Sequence, residues 1–128
     1  MKKLFLVWYE KENKILNLIA ELSYDGKLYE FKYLNYETSE LQLFSKNGLF
    51  YGFDNINKIY QSSELFPSIY GRIPTPKRVD YDKILKEYNL DISATSFEVL
   101  EKTKGEISTD KFIFITEEEY NRLIKEIG

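Results

Sequence analysis

Apolar and polar residues alternate with a period near two through the front of the chain and with a helical period through the back. Leu4–Tyr9 and Ile15–Leu22 are apolar runs rich in β-formers, and the polar Lys11-Glu12-Asn13-Lys14 between them reads as a hairpin loop. Asp25-Gly26 predicts a second, two-residue hairpin turn, because both residues tolerate positive φ. Beyond it, Tyr29, Phe31 and Tyr33 fall on one face of a strand and Leu28, Glu30 and Lys32 on the other. Asn47-Gly48 predicts a further turn between strands at Leu41–Phe44 and Leu49–Phe53. Strands joined in this way form an antiparallel, meander-like sheet.

The period changes after Phe53. Asn55–Ser62 is expected to be a short helix carrying Ile56, Ile59 and Tyr60, with Asp54 as its N-cap. Asp80 is expected to cap another, whose apolar stripe is Tyr81, Ile84, Leu85 and Tyr88, and Asn89 and Leu90 end it. Thr95 and Glu98 form a capping-box pair before a helix that buries Phe97 and Leu100, and Lys104-Gly105 closes it. Lys111–Ile115 is a late strand able to pair back onto the front sheet. Thr116 with Glu119 reads as a second capping box, opening a helix striped by Tyr120, Leu123, Ile124 and Ile127. The fold class is therefore α+β, a small antiparallel sheet packed with three to four short helices. One domain comprises β-rich residues 1–53, a proline-rich connection at 64–79, and a helical part at 80–128 with one late strand.

That connection is dense in unusual residues. All three prolines and three basic residues lie in the seventeen positions from Leu65 to Tyr81. Proline fixes its own φ and biases the preceding residue against helix, so the segment is expected to run extended and irregular. Irregular segments on a rigid scaffold often carry function.

Composition then narrows the chemistry. A hydrophobic fraction of 43% in 128 residues supports a folded core rather than a disordered chain. With no cysteine and no histidine, disulfides, thiol nucleophiles, imidazole bases and ordinary zinc or haem sites are excluded. A net charge of −3 argues against sequence-independent nucleic-acid binding. Met1–Tyr9 imitates the start of a signal peptide, but the apolar run stops at Glu10-Lys11-Glu12 without a small-residue cleavage site, so it reads as a strand. The expectation is a soluble cytoplasmic domain with no cofactor, no metal and no membrane association.

No catalytic constellation emerges. Asp80 with Asp82, and Glu117, Glu118 and Glu119, sit at helix starts, where capping and compensation of the helix dipole account for them. Ser62, Ser63 and Ser68 have no histidine to activate them, and no motif spacing joins them to Lys77 or Lys83. Arg72, Lys77 and Arg78, with Tyr70 and Tyr81 nearby, form a local basic patch suited to a phosphate, a nucleic-acid backbone or an acidic partner. Arg72 itself is better read as pinning the loop, by bonding backbone carbonyls or a carboxylate such as Asp80. Trp8 reads as core, its indole N–H needing a partner. The Tyr29/Phe31/Tyr33 stripe is either an inward face or a base-stacking platform, and the acidic chain favours the former.

Taken together, certain residues resemble a known module. Glu21-Leu22, Tyr24-Asp25-Gly26, Tyr29, Phe31 and Tyr33, then Glu64-Leu65-Phe66-Pro67 with Arg72, Arg78, Asp80 and Tyr81, look like the N-terminal subdomain of HipA-type serine/threonine kinases. Phe97, Leu100, Thr103, Gly105, Thr109, Asp110 and Phe112 continue the likeness. In those kinases the subdomain precedes the kinase core and contributes to contacts with the DNA-binding antitoxin HipB. In three-gene systems a similar piece, HipS, is a separate antitoxin to a shortened kinase, HipT. A variant also precedes HIRAN domains, a DNA-end-binding fold, but Lys104 and Glu106 stand where that variant tends to carry glycine and a basic residue. Neither a kinase core nor a HIRAN domain fits after the module within these 128 residues, so no catalytic residue carries over.

The resemblance implies a non-enzymatic, HipS-like interaction module that neutralises a HipA- or HipT-like kinase, with a HipB-like protein as a further partner. The contact surface is expected at Leu65, Phe66, Pro67, Tyr70 and Arg72, followed by Lys77, Arg78 and Tyr81. The alternative is a nucleic-acid-associated accessory protein, of phage or defence context, using Arg72, Lys77, Arg78 and the tyrosines.

Overall fold

The structure, a computed structural model, describes residues 1–34 and 49–128. Strands β1 (Lys2–Glu10), β2 (Ile15–Tyr24), β3 (Tyr29–Tyr33), β4 (Tyr60–Ser62) and β5 (Phe112–Ile115) form one antiparallel sheet in the order β4-β3-β2-β1-β5. Among the described residues four helices accompany it: α1 (Pro67–Tyr70), α2 (Tyr81–Glu87), α3 (Ser96–Thr103) and α4 (Glu117–Ile127). The α+β class and the meander are as expected from the hydrophobic pattern. Among the described residues no helix is long and apolar enough to cross a membrane.

Alternation gives the sheet two different faces. Leu4, Leu6, Leu22, Phe31 and Phe114 point to the front, where they bury Ile69 of α1, Leu85 of α2, and Phe97 and Leu100 of α3. Val7, Ile113 and Ile115 point to the back and receive Leu123 of α4, with Tyr120 edge-on to Phe5. The register shifts between Leu6, which faces Ala20, and Val7, which faces Leu18, leaving Ile19 as an extra residue. This bulge lets Ile19 and Ala20 both bury on the front while Leu16 and Leu18 serve the back. The late strand pairs as expected, from Trp8 opposite Phe112 to Phe5 opposite Ile115.

Helix ends follow local chemistry. At α3 the Thr95 hydroxyl accepts the Glu98 N–H and the Glu98 carboxylate accepts the Thr95 N–H, so the capping box is complete. At α4 only half of the expected box forms. Thr116 accepts the Glu119 N–H, but the Glu119 carboxylate turns instead to Lys104 and Arg122. Asp80 precedes α2 but its carboxylate does not cap it, because that carboxylate is taken by Arg78. Asn89, at φ 60, ends α2, and the Leu90 N–H reaches back to the Leu85 carbonyl.

Three expectations fail for identifiable reasons. The Asp25-Gly26 turn is a four-residue loop: Tyr24 pairs with Tyr29, and the Asp25 carboxylate accepts the N–H groups of Lys27 and Leu28. Residues 55–62 are not a helix. The Asn55 amide oxygen accepts the Asn57 N–H, the Tyr60 hydroxyl accepts the Asn55 N–H, and Tyr60–Ser62 pairs with β3 as a strand. Leu49–Phe53 is a turn rather than a strand, closed by Phe53 N–H to Phe50 O, and Phe50 and Phe53 both bury their rings against Phe31. The strand expected at Leu41–Phe44 and the Asn47-Gly48 turn lie outside the described residues.

Arg72 ties these layers together. Its Nε donates to the Gly105 carbonyl at 2.8 Å, its two terminal nitrogens engage both Asp110 carboxylate oxygens at 2.9 and 2.7 Å, and one of them also reaches the Phe112 carbonyl at 2.9 Å. The Phe112 N–H closes the circuit onto Asp110. Its partner is therefore Asp110 and not Asp80, and its side chain is only 8% exposed. Burial works to raise the Asp110 pKa, yet the hydrogen bonds from Arg72 and Phe112 prevail and hold it below the usual aspartate value.

Two substitutions probe this joint. Asp110→Asn leaves a guanidinium buried without its counter-charge and is expected to cost about 2–4 kcal/mol in urea unfolding at neutral pH. Because the folded pKa is depressed, this contribution is present above the unfolded value near ~4 and is lost as pH falls through the folded one. The gap between wild type and Asp110→Asn should accordingly narrow below about pH 4, and a gap independent of pH contradicts the assignment. At Gly105, φ is +58 and an added Cβ would meet Leu100 Cδ1 at 2.9 Å. Gly105→Ala is expected to destabilise by about 2 kcal/mol, read as a lowered urea midpoint with unchanged slope.

Candidate functional site

The proline-rich connection is not extended. Pro67 occupies the first position of α1, where a missing N–H costs nothing, and the Phe66 carbonyl accepts from both Ile69 and Tyr70. Gly71, Arg72 and Ile73 continue in tight turns, their N–H groups bonding to the carbonyls of Pro67, Ile69 and Tyr70. The reason is that Pro67 sits where proline starts a helix, and Gly71 and Arg72 place no proline within the next turn.

This folding divides the expected contact residues. Ile69 is fully buried and anchors the segment. Phe66 packs edge-on against Phe53 and Phe31 at 5.0 and 6.5 Å, which makes it part of the core. Arg72 is architectural, bound to Asp110, with its side chain only slightly exposed. Pro67 is exposed, Tyr70 is 37% exposed, and Tyr81 is half-buried, with burial and the neighbouring Tyr70 and Asp82 pushing its phenol up. Arg78 is exposed but held bidentately by Asp80 at 2.9 and 3.1 Å, a pairing that lowers the Asp80 pKa. Lys77 is exposed and forms no ion pair with a described residue. The basic patch expected from Arg72, Lys77 and Arg78 therefore does not assemble.

Two adjoining hollows form instead. The larger, about 570 Å³, lies between the stretch from Ser63 to Pro67 and the start of α3 at Thr95 and Ser96. Tyr24, Tyr29 and Leu65 line it, with Glu64 and Tyr70 beside them. Tyr24 and Tyr29 stack with centroids 4.1 Å apart and an interplanar angle of 15°, and Tyr24 continues this stack onto Phe97. Burial and the neighbouring Tyr24 push the Tyr29 phenol up to about 12, so it stays neutral at any physiological pH. The smaller hollow, about 180 Å³, is bounded by Ile73, Pro74, Pro76, Tyr81, Ile92 and Val99. Tyr70 and Ser96 border both.

Sequence reasoning missed Tyr29 as a lining residue because its stripe reads as core, and Tyr24 because it reads as the flank of a turn. It also missed Ile92, which is 80% exposed. An isoleucine alone between Asp91 and Ser93 in a polar loop is the signal that could have found it. The stacking platform considered for Tyr29, Phe31 and Tyr33 is not available, since all three are buried and the Tyr33 hydroxyl donates to the Phe53 carbonyl. Trp8 is partly buried, edge-on to Phe112 at 5.0 Å, with its indole N–H on Glu10.

Several other polar side chains at the helix starts and near the connection have structural partners. Glu119 pairs with Lys104 and Arg122, Glu117 with Lys3, and the Ser62 hydroxyl accepts the Glu64 N–H. Among the described residues no buried side-chain nitrogen or oxygen lacks a hydrogen bond, and no acidic cluster is grouped to hold a metal ion. Lys104 adopts φ 64, a left-handed conformation that glycine takes more easily, and its N–H bonds to the Leu100 carbonyl to close α3. None of the family models, curated proteins or solved structures with which the chain was compared matches it.

Proposed function

We propose that this chain is a non-enzymatic protein-interaction module of the cytoplasm, a HipS-like partner that neutralises a HipA-type serine/threonine kinase. The observation that carries the reading is the pair of hollows sharing Tyr70, set in the same proline-rich connection that resembles the HipA subdomain. Aromatic and proline side chains around concave, partly desolvated ground are what protein interfaces use as anchors. The fold offers them on a rigid base, since Leu65 and Ile69 are buried beneath and Arg72 locks the following turn. Tyr70, Pro67, Tyr81 and Ile92 form the contact surface, while Phe66 and Arg72 support it from inside.

The nucleic-acid reading keeps Lys77 and the exposed Tyr70, but Arg72 is internal, Arg78 is paired with Asp80, and the aromatic stripe is covered. Binding to single strands or DNA ends that weakens steeply with salt would revive it.

Co-expression with a HipA-type kinase encoded beside this chain tests the proposal. Growth is expected to recover and a complex to co-purify, and Tyr70→Ala is expected to weaken that complex by about tenfold or more. Continued toxicity with no complex would sink it.

A further inference from the structure

We infer that the two hollows read a partner segment in which a basic residue stands beside an apolar one, the basic side chain entering the larger hollow and the apolar one the smaller. This rests on the reading of the face as a protein-docking surface and names the chemistry of what docks. The larger hollow sets the exposed Tyr70 beside Glu64, with the Tyr24–Tyr29 stack as its floor, and among the described residues no lysine or arginine lines it. A carboxylate at the rim offers a cation a direct ion pair, and an exposed aromatic ring such as Tyr70 adds the attraction of its quadrupole. Glu64 is exposed and forms no ion pair with any described residue, since the hydrogen bond it makes to Ser62 uses its backbone N–H. Its charge is therefore available to a ligand. An acidic or phosphorylated segment would meet this carboxylate with no cation among the described lining residues to offset the repulsion.

The smaller hollow has the opposite chemistry. Ile73, Pro74, Pro76, Ile92 and Val99 present aliphatic surface, and among the described residues its only aromatic members are Tyr70 and Tyr81. A charged group placed there would lose water without gaining a counter-charge. An aliphatic side chain would cover the exposed Ile92. Because Tyr70 and Ser96 border both hollows, the two ligand side chains must be near neighbours in sequence. An extended segment directs residues i and i+2 to the same side, roughly 6.5–7 Å apart, which suits two adjacent hollows. The net charge of −3 favours approach of a basic segment over long range.

Amide chemical-shift mapping of the purified chain tests this with three capped tripeptides: acetyl-Arg-Ala-Leu-amide, acetyl-Leu-Ala-Arg-amide and acetyl-Glu-Ala-Leu-amide. At least one arginine peptide is expected to give saturable shifts centred on Glu64, Leu65, Tyr70 and Ser96, and the glutamate peptide to bind about tenfold more weakly or not at all. Glu64→Gln should weaken the arginine peptide by about fivefold while leaving the unfolding midpoint unchanged. No saturation by about 10 mM of either arginine peptide, equal binding of the glutamate peptide, shifts elsewhere, or indifference to Glu64→Gln would each overturn the inference. The kinase complex separates it from the functional proposal. If the kinase binds wild type and Glu64→Lys equally well, the basic-segment inference falls and the module reading stands. If the arginine peptides bind in this pattern and no kinase complex forms, the basic-segment inference stands and the kinase partner falls.

Discussion

A guanidinium with little access to water needs an acceptor for the donors it carries inside, and Arg72 finds them by drawing three distant stretches of chain together. The turn after α1, the left-handed close of α3 at Gly105 and the approach to β5 at Asp110 and Phe112 all meet on one side chain. The ring of Phe50 lies 5.5 Å from the guanidinium and extends the joint to the turn after the undescribed stretch. With the Phe114 N–H bonded to the Lys104 carbonyl at 2.8 Å, the pair links the front layer of helices to the strand that completes the sheet. Hydrophobic burial supplies most of the stability, but it is not directional, and the fork of Arg72 fixes how the layers are set relative to one another.

Local signals in the sequence were legible because they depend on neighbours only. The Thr95/Glu98 capping box, the alternation of Tyr29, Phe31 and Tyr33, and the left-handed stop at Lys104 and Gly105 each involve a few consecutive residues. Where the expectation failed, a competing partner had won, sometimes a distant one. Glu119 abandoned its half of a capping box for Lys104 on another helix. Tyr60–Ser62 became a strand because β3 offered an edge, and the Asn55 side chain took the Asn57 N–H before a helix could start. The role of Arg72 as an internal pin was legible, but not the identity of its partner, which lies 38 residues on.

The candidate surface shows the same division. Its prolines and tyrosines were visible as a dense block, yet which of them face outward depended on turns no pattern encoded. Phe66 and Arg72 belong to the interior, so part of what made the block resemble a recognition segment is scaffolding. Tyr24 and Tyr29 come from a hairpin some forty residues earlier and reach the hollow only because the sheet brings that hairpin beside α3. A family likeness carried by such residues speaks to architecture as much as to partner choice.

The order of strands has a consequence for synthesis on the ribosome. β1 pairs on one side with β2, close in sequence, and on the other with β5, whose Ile115 faces Phe5. At about 5–20 residues per second, the outer edge of β1 emerges roughly 5–20 s before the strand that covers it. During that interval Leu4, Leu6 and Val7, all fully buried in the finished fold, lie along an unpaired strand edge. Lys2 and Lys3 at the start of that strand, with Glu10 at its end, place charges that discourage two nascent chains from pairing there. The same topology that leaves β5 until late thus makes those flanking charges the guard of the growing chain.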